Sequence, residues 1–354
     1  MQRKPDNPSV SIVVPNYNYA RFLPDALDSA LSQDGPDCEV VVVDDRSSDG
    51  SKDVIDAYRE NVVSCFHIRN GGHAAAFNTG LAAAKGDVVL FLDADDYLYP
   101  DAARTVVDAF DADTAQVQFR LDMVDEERHS MDVYPAPEVP LDEGDVVPKL
   151  LESGRYRTTV TSGLAFRREA LESVFPIPEE DFRQGADGYL ATVVPFHGAV
   201  KSIDRCLGAY RQHGANHSSF HDRLGERARW RVEHDFRRFE ALSREASERG
   251  LRMRREVGLG DPLHVEERLA SLCVDRAQHP VPGERRLRLA RAGAAASLRT
   301  GGSFRRRAMT AGWFLSVGLL PPRMARSVLS WKLDAASRPR MLASASKAIR
   351  RLMG

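Results

Sequence analysis

Three carboxylates within four positions, Asp93, Asp95 and Asp96, close the run Gly86-Asp87-Val88-Val89-Leu90-Phe91-Leu92-Asp93-Ala94-Asp95-Asp96. A short apolar run bounded by Gly and charge reads as a buried strand. In open α/β sheets, ligands sit beyond the carboxyl ends of the strands. Carboxylates gathered there repel one another unless a cation joins them. A hard divalent ion is the natural guest, because Mg2+ is held by one or two carboxylates together with substrate phosphates. The plainer reading of such a run is that Asp96 or Asp101 merely caps a helix beginning near Pro100.

The elements that must position these acids are read from the preceding chain. Ser9 to Val14 predicts a first strand that stops at Pro15, since Pro cannot extend a central ladder. Ala20 to Ser32 carries apolar residues on a helical period and ends before Gly35-Pro36. Glu39 to Val43 is a second strand running into Asp44-Asp45-Arg46-Ser47-Ser48-Asp49-Gly50, followed by a helix over 51–58 and a strand over 62–68. Asn70-Gly71-Gly72-His73 is a turn, and Ala74 to Ala84 is a helix of small residues suited to close packing on a sheet. Strands alternating with helices up to about residue 110 predict a parallel sheet with helices on its faces. Three of its strands end in polar or acidic residues, and that convergence is the main sequence evidence for a site.

Beyond Phe110 the pattern changes. Strands are expected at 116–124, 131–134, 199–203 and 207–211, with a short helix at 146–152 and a polar stretch ending as a strand at 158–167. A loop rich in Pro and acid spans 176–188, and 189–196 is apolar and helical. From Asp222 onward only helices are expected, near 224–249, 262–277, 283–299 and 303–319. This places a catalytic domain at 8–220 and a helical extension at 221–354.

Charge divides the chain in the same way. Residues 1–220 hold 20 Lys and Arg against 37 Asp and Glu, while residues 221–354 hold 29 against 14. The 354 residues suffice for one large domain plus an appendage, and 43% hydrophobic with 28% charged residues describes a globular chain, not a disordered one. Cys38, Cys65, Cys206 and Cys273 form no Cys-x-x-Cys pair and read as buried thiols in a reducing compartment. A polar start and no apolar stretch long enough to span a bilayer predict a cytoplasmic protein.

Ile12-Val13-Val14-Pro15-Asn16-Tyr17-Asn18, Val43-Asp44-Asp45-Arg46-Ser47-Ser48-Asp49-Gly50, Asn70-Gly71-Gly72 with Asn78-Thr79-Gly80 and Ala84-Lys85-Gly86, and Leu92-Asp93-Ala94-Asp95-Asp96 together resemble the family 2 glycosyltransferases over roughly residues 8–220. The resemblance implies a GT-A fold, a Rossmann-like mixed and mainly parallel sheet flanked by helices. It also implies inverting transfer of a sugar from a nucleotide diphosphate sugar to an acceptor hydroxyl, in polysaccharide, cell-envelope or glycolipid synthesis. Mn2+ or Mg2+ would bridge the acidic DxD motif and the pyrophosphate. By the same resemblance Asp95 is a metal ligand, Asp93 contacts ribose or metal, and Asp96 is less defined. Pro15, Asn16, Tyr17 and Asn78 would line the nucleotide site, and Asp45, or second Asp44, would accept a hydrogen bond from the base. Tyr17 has the alternative of a plain core aromatic, and Asp44-Asp45 that of turn and cap residues.

Inversion needs a base on the face opposite the leaving group. Asp187 in Ala186-Asp187-Gly188-Tyr189 stands where the family supplies it, with Ala186 in place of the usual first acid; Glu179, Glu180 and Asp181 form a competing cluster. In Tyr210-Arg211-Gln212-His213-Gly214-Ala215-Asn216, His213 would complete the metal shell or donate to the diphosphate, and Arg211 would pair with a phosphate oxygen. A structural role is the alternative for His213.

Arg305-Arg306-Arg307 ahead of Trp313-Phe314-Leu315 suits an interfacial helix on an anionic membrane, near a saccharide or lipid-linked acceptor. Packing on the catalytic domain or in a homo-oligomer is the alternative, and no nucleic-acid recognition motif accompanies the charge. Two rival functions remain at this level. A nucleotidyltransferase also uses paired aspartates but begins with a Gly-rich basic loop where this chain has Pro15-Asn16-Tyr17-Asn18, and a catalytically silent binding module would keep the fold alone.

Overall fold

The structure, a computed structural model, describes residues 8–214, 224–254, 256–299 and 303–333. Asn216, His217 and the basic segment after residue 333 lie outside the described residues. Strands and helices follow in the order β1 (Val10–Asn16), α1 (Leu23–Leu31), β2 (Cys38–Asp44), α2 (Ser51–Ala57), β3 (Val63–Phe66), α3 (His73–Ala83), β4 (Val88–Phe91), β5 (Tyr97–Leu98), α4 (Ala102–Ala109), β6 (Thr114–Val124), β7 (Ser130–Tyr134), α5 (Val147–Ser153), β8 (Leu164–Arg167), α6 (Arg168–Glu172), α7 (Ala186–Val193), β9 (Ala199–Arg211), α8 (Leu224–Glu248), α9 (Pro262–Val274), α10 (Arg286–Arg299), α11 (Phe304–Leu319) and α12 (Pro322–Leu333).

One mixed sheet runs β3-β2-β1-β4-β8-β6-β9-β5, with β7 paired to β6. Its front half, β3-β2-β1-β4, is parallel. Both faces of β2, β1 and β4 are largely buried, β3 being an exposed edge, and the strand residues divide between the faces with a period of two. Ile12, Val14, Val40, Val42 and Leu90 join a core closed by α1, α2 and α4. Val13, Val41, Val43, Val89 and Phe91 join a second core closed by α3, α6 and α7. Gly80 lets α3 come close, because a Cβ there would collide with Val13 and touch Val43. The expected α/β architecture is therefore present, with β8 returning antiparallel beside β4 and β6 lying antiparallel on the far side of β8.

Two expectations about strands need correction. Pro15 does not end β1; it lies inside the strand, in register with Val43. Val13 O accepts from Leu92 N–H on the β4 side, and Asn16 O accepts from Asp45 N–H on the β2 side. Alternation then turns the amide-less nitrogen of Pro15 toward β4, whose register with β1 already ends at Val13–Phe91. No ladder bond is lost. Likewise 199–203 and 207–211 are one strand, β9, whose charged interruption is absorbed by register shifts against β6, with Asp204 paired to Arg120. The four cysteines are free thiols and only partly buried.

The chain divides into two compact units, residues 1–150, 155–213 and 241–251 forming the first, and 151–154, 214–240 and 252–354 the second. The described part of the second unit is helical, around Val265, Leu269, Leu289, Phe314, Val317 and Leu329. Gly293 admits the ring of Phe314, and Gly318 meets Ala290, so α10 and α11 pack closely.

Candidate functional site

The carboxyl ends of β1, β2 and β4 carry interlocked loops. Asn16, opposite Asp44 in the ladder, donates its amide to Asp44 at 2.8 Å and to Ser47 Oγ at 3.2 Å. Asp44 also accepts the backbone N–H of Ser47 at 2.9 Å. Asn18, in the left-handed region at φ 62°, accepts from the N–H of Ser48 at 2.7 Å. Tyr17, which follows Asn16, is 45% exposed, so it is not a core aromatic.

Asp45 is buried and acts as a strut. Its carboxylate accepts the N–H groups of Gly71 at 2.7 Å and Gly72 at 2.6 Å, and lies 2.7 Å from His67 Nδ1. Gly72 at φ 87° is a position for glycine alone, because a Cβ there would strike Arg183 O. The turn so held leads into α3.

Past β4, the hydroxyl of Ser162 fixes the acidic loop. It accepts from Asp93 N–H at 3.1 Å and donates to Asp96 at 2.6 Å. Asp96 is fully buried and also accepts Arg211 N–H at 2.9 Å, which binds the loop to the end of β9. Asp96 thus serves the frame. Asp95 Oδ2 lies 3.0 Å from His213 Nε2, both side chains being nearly solvent-free. The His213 ring lies tilted against Phe22 (centroids 4.6 Å apart, planes at 32°) and meets Tyr19 edge to face. Asp93 keeps 30% side-chain exposure and stands 3.7 Å from His73 Nε2.

Crowding of acids shows in their proton affinities. Burial, then the charges of Asp95 and Asp187, push the Asp93 carboxyl well above the usual carboxylate range. Burial, then Asp95 and Asp93, do the same to Asp96. Burial and the three acids of this loop raise the Tyr19 phenol as well. Asp187 is therefore electrostatically a neighbour of the acidic loop. It lies in the first turn of α7, half exposed, after Gly185 in the left-handed region. Ala186, where the family usually has an acid, is fully buried in the α3–α6–α7 core, where an unpaired carboxylate would be desolvated.

Other expected residues are placed elsewhere. Asn78 commits its amide to the segment before α7, accepting from Ile177 N–H at 2.8 Å and donating to Ile177 O at 3.0 Å and Glu179 at 3.2 Å. Glu180 and Asp181 are exposed. Arg211 is not presented to a phosphate; its buried guanidinium pairs with Asp25 at 2.7 Å and lies over the Phe22 ring at 4.7 Å.

Sequence reasoning missed His73, Phe22 and Ser162. His73 Nδ1 accepts the N–H of Ala186 at 3.3 Å. In the neutral ring that leaves the proton on Nε2, the nitrogen facing Asp93. The signal was its place directly after Gly71-Gly72, read only as a turn. Phe22 looked like any apolar residue of an amphipathic helix, and nothing local marked Ser162.

Residues 11–175 match the sequence family described as Glycosyl transferase family 2. An uncharacterized glycosyltransferase of a Nostoc species, alr2836, is 40% identical over 212 residues, 58% of this chain and 66% of that protein. The matched stretches cover about half or less of several other curated relatives. Among solved structures, Staphylococcus aureus TarS 1-349 in complex with UDP-GlcNAc superposes with a TM-score of 0.52 over 92% of both chains at 18% identity. The mannosyltransferase PcManGT of Pyrobaculum calidifontis in complex with GDP-Man and Mn2+ gives 0.51 over 93% of this chain and 86% of that one at 21% identity. At these identities the structures establish the shared fold.

Proposed function

The chain belongs to glycosyl transferase family 2 through residues 11–175, and from that premise we propose that it transfers a sugar from a nucleotide diphosphate sugar to an acceptor hydroxyl, with inversion and with Mn2+ or Mg2+. The observation that carries the reading is the approach of His213 to Asp95 at 3.0 Å, on the loop that also holds Asp93. Two carboxylates and an imidazole are a donor set whose chemistry suits such an ion, with Asp95 and His213 in contact and Asp93 on the same loop but not drawn up to ligand spacing with them. Asp93, Asp95 and His213 would hold it. When bound, the ion supplies Lewis-acid stabilisation of the charge on the departing diphosphate.

The remaining steps belong to the chain's own side chains. Pro15, Asn16 and the exposed Tyr17 form the wall for the nucleotide, shaped by the Asn16–Asp44 bond. Asp45, or second Asp44, is the proposed base contact. Both already accept bonds from the fold, so they act on the nucleotide through the loops they fix as well as through any remaining lone pair. Asn78 contributes by holding the approach to α7. Asp187 is the proposed general base, taking the proton of the acceptor hydroxyl as it attacks. The basic region 221–354 is proposed to keep the enzyme at the cytoplasmic face of a membrane, near a saccharide or lipid-linked acceptor.

Incubating the full chain with Mn2+ and a panel of sugar nucleotides, and following release of nucleoside diphosphate, tests the reaction. Turnover or slow donor hydrolysis is expected. Tight binding with no turnover for any donor or acceptor would instead make this a binding module, and release of pyrophosphate from a nucleoside triphosphate and a sugar phosphate a nucleotidyltransferase.

A further inference from the structure

Helix α11 buries Ala311, Phe314, Val317 and Gly318 and turns its opposite side outward. That outer side is apolar. Phe304, Ala308, Gly312, Leu315 and Leu319 recur at intervals of four, four, three and four, one stripe of a helix. Phe304 is 73% and Leu319 74% exposed, with Leu315 and Met309 exposed to 41% and 48%. A side chain added at Gly312 would meet nothing among the described residues. Arg305 and Arg306 flank the stripe at one end, and Arg323 and Arg326 follow it at the other, all exposed.

We propose that this face of α11 seats the protein on an anionic lipid bilayer, lying in the plane of the interface. The proposal rests on the reading of residues 221–354 as membrane-facing, and not on the chemistry of transfer. Charge selects the occupant. Residues 285–354 hold 16 Lys and Arg and a single acid, Asp334. A second copy of the same face, parallel or antiparallel, would bring one basic end of the stripe against another. A nucleic acid would pair the arginines but leave Phe304, Leu315 and Leu319 in water. An anionic bilayer satisfies both, its headgroups taking the arginines and its acyl boundary the stripe. None of the described helices is long and apolar enough to cross a membrane, so the contact is a surface one.

This keeps Leu315, Arg305 and Arg306 from the sequence reading but replaces its two aromatic residues. Phe314 is fully buried against Gly293, and Trp313 is half-buried with the Lys332 ammonium 3.8 Å over its ring. Neither faces outward. The lipid contact falls to Phe304, Leu315 and Leu319.

The test is flotation of the full chain with vesicles of phosphatidylglycerol and phosphatidylcholine, and with phosphatidylcholine alone. Binding is expected to the anionic vesicles and to weaken as salt rises. The pair Leu315→Glu and Leu319→Glu should cut it about tenfold or more, and Arg305→Glu by roughly fivefold or more, while Gly312→Leu should strengthen it. Nucleoside diphosphate binding should match the native chain in each variant, and none should unfold at a lower temperature, with Gly312→Leu the more stable because it removes a glycine from a helix interior. Absent binding at low salt, or equal binding by the double variant, overturns the proposal. So does vesicle-free self-association that the double variant abolishes, which would make the face a dimer contact. Loss of nucleotide binding or turnover in every protein, native included, would fail the transferase reading and leave this one standing.

Discussion

The imidazole of His73 and the backbone of Ala186, 113 residues apart in sequence, are joined by a 3.3 Å hydrogen bond. The junction is doubled, since His73 N–H donates to Arg183 O at 2.7 Å and the Arg183 guanidinium returns to Asn70. The helix that carries Asp187 is thereby registered on the turn that Asp45 holds, and the other nitrogen of His73 looks onto Asp93.

His73 is accordingly a positioning residue. His73→Ala should slow transfer roughly 10 to 10² fold, the scale on which small misplacements act in catalysis, with nucleotide affinity nearly unchanged. His73→Asn keeps an acceptor near the Nδ1 position and should recover much of the rate. Steady-state kinetics separates the outcomes: a loss confined to KM, or no rescue by Asn, removes the positioning role.

The metal site makes a separate demand. Asp95→Asn and His213→Ala should each weaken nucleoside diphosphate binding in the presence of Mn2+ and leave the chelator-treated affinity unchanged. In the proposed arrangement Asp95 and His213, 3.0 Å apart, would meet the diphosphate through a shared ion, so their loss should be felt only when that ion is present. Calorimetry with metal and with chelator reads both arms. Equal, metal-independent binding in native and variant proteins would refute the assignment.

For the base, Asp187→Asn should lower the transfer rate by about 10² to 10⁴ fold with donor affinity intact. Asp181→Asn, altering an exposed loop acid, should do nothing. The reverse pattern would move the base one loop segment upstream.

What could be read from the sequence, and what could not, follows from how local each signal is. The β1–α1–β2–α2–β3–α3–β4 succession was legible because each strand is a short apolar run ended by polar residues, and each helix shows its period over a few turns. The order β4-β8-β6-β9-β5 was not, since pairing partners such as Val88 and Arg167 are set by sheet geometry. Asp95 with His213 was legible by resemblance, while Phe22 under the same imidazole was indistinguishable from its helical neighbours. Arg211 carried the wrong sign of evidence. A motif arginine suggests phosphate, yet Asp25 on α1, far away in sequence, claims it. Trp313 and Phe314 erred for a related reason, because an apolar helix shows its period before it shows which side is covered.

Two glycines make the last point measurable, since opposing terms of known size act on them. In a helix interior Gly is worse than Ala by about 0.5–1 kcal/mol. At Gly312, where the added methyl meets open space, that term acts alone, so Gly312→Ala should raise the urea midpoint. At Gly80 the methyl would drive into Val13 Cγ1 on the central strand, and overpacking of this kind costs about 1–3 kcal/mol. The steric term exceeds the helical one, so Gly80→Ala should lower the midpoint by a net cost of up to about 2.5 kcal/mol. Val13 belongs to β1, the strand whose end presents Asn16, so the variant should also weaken nucleotide binding in proportion to the shift it forces. Urea unfolding followed by circular dichroism, with nucleotide titration at low urea, checks both. An unchanged midpoint for Gly80→Ala would mean that α3 stands off the sheet further than the Gly80–Val13 contact requires.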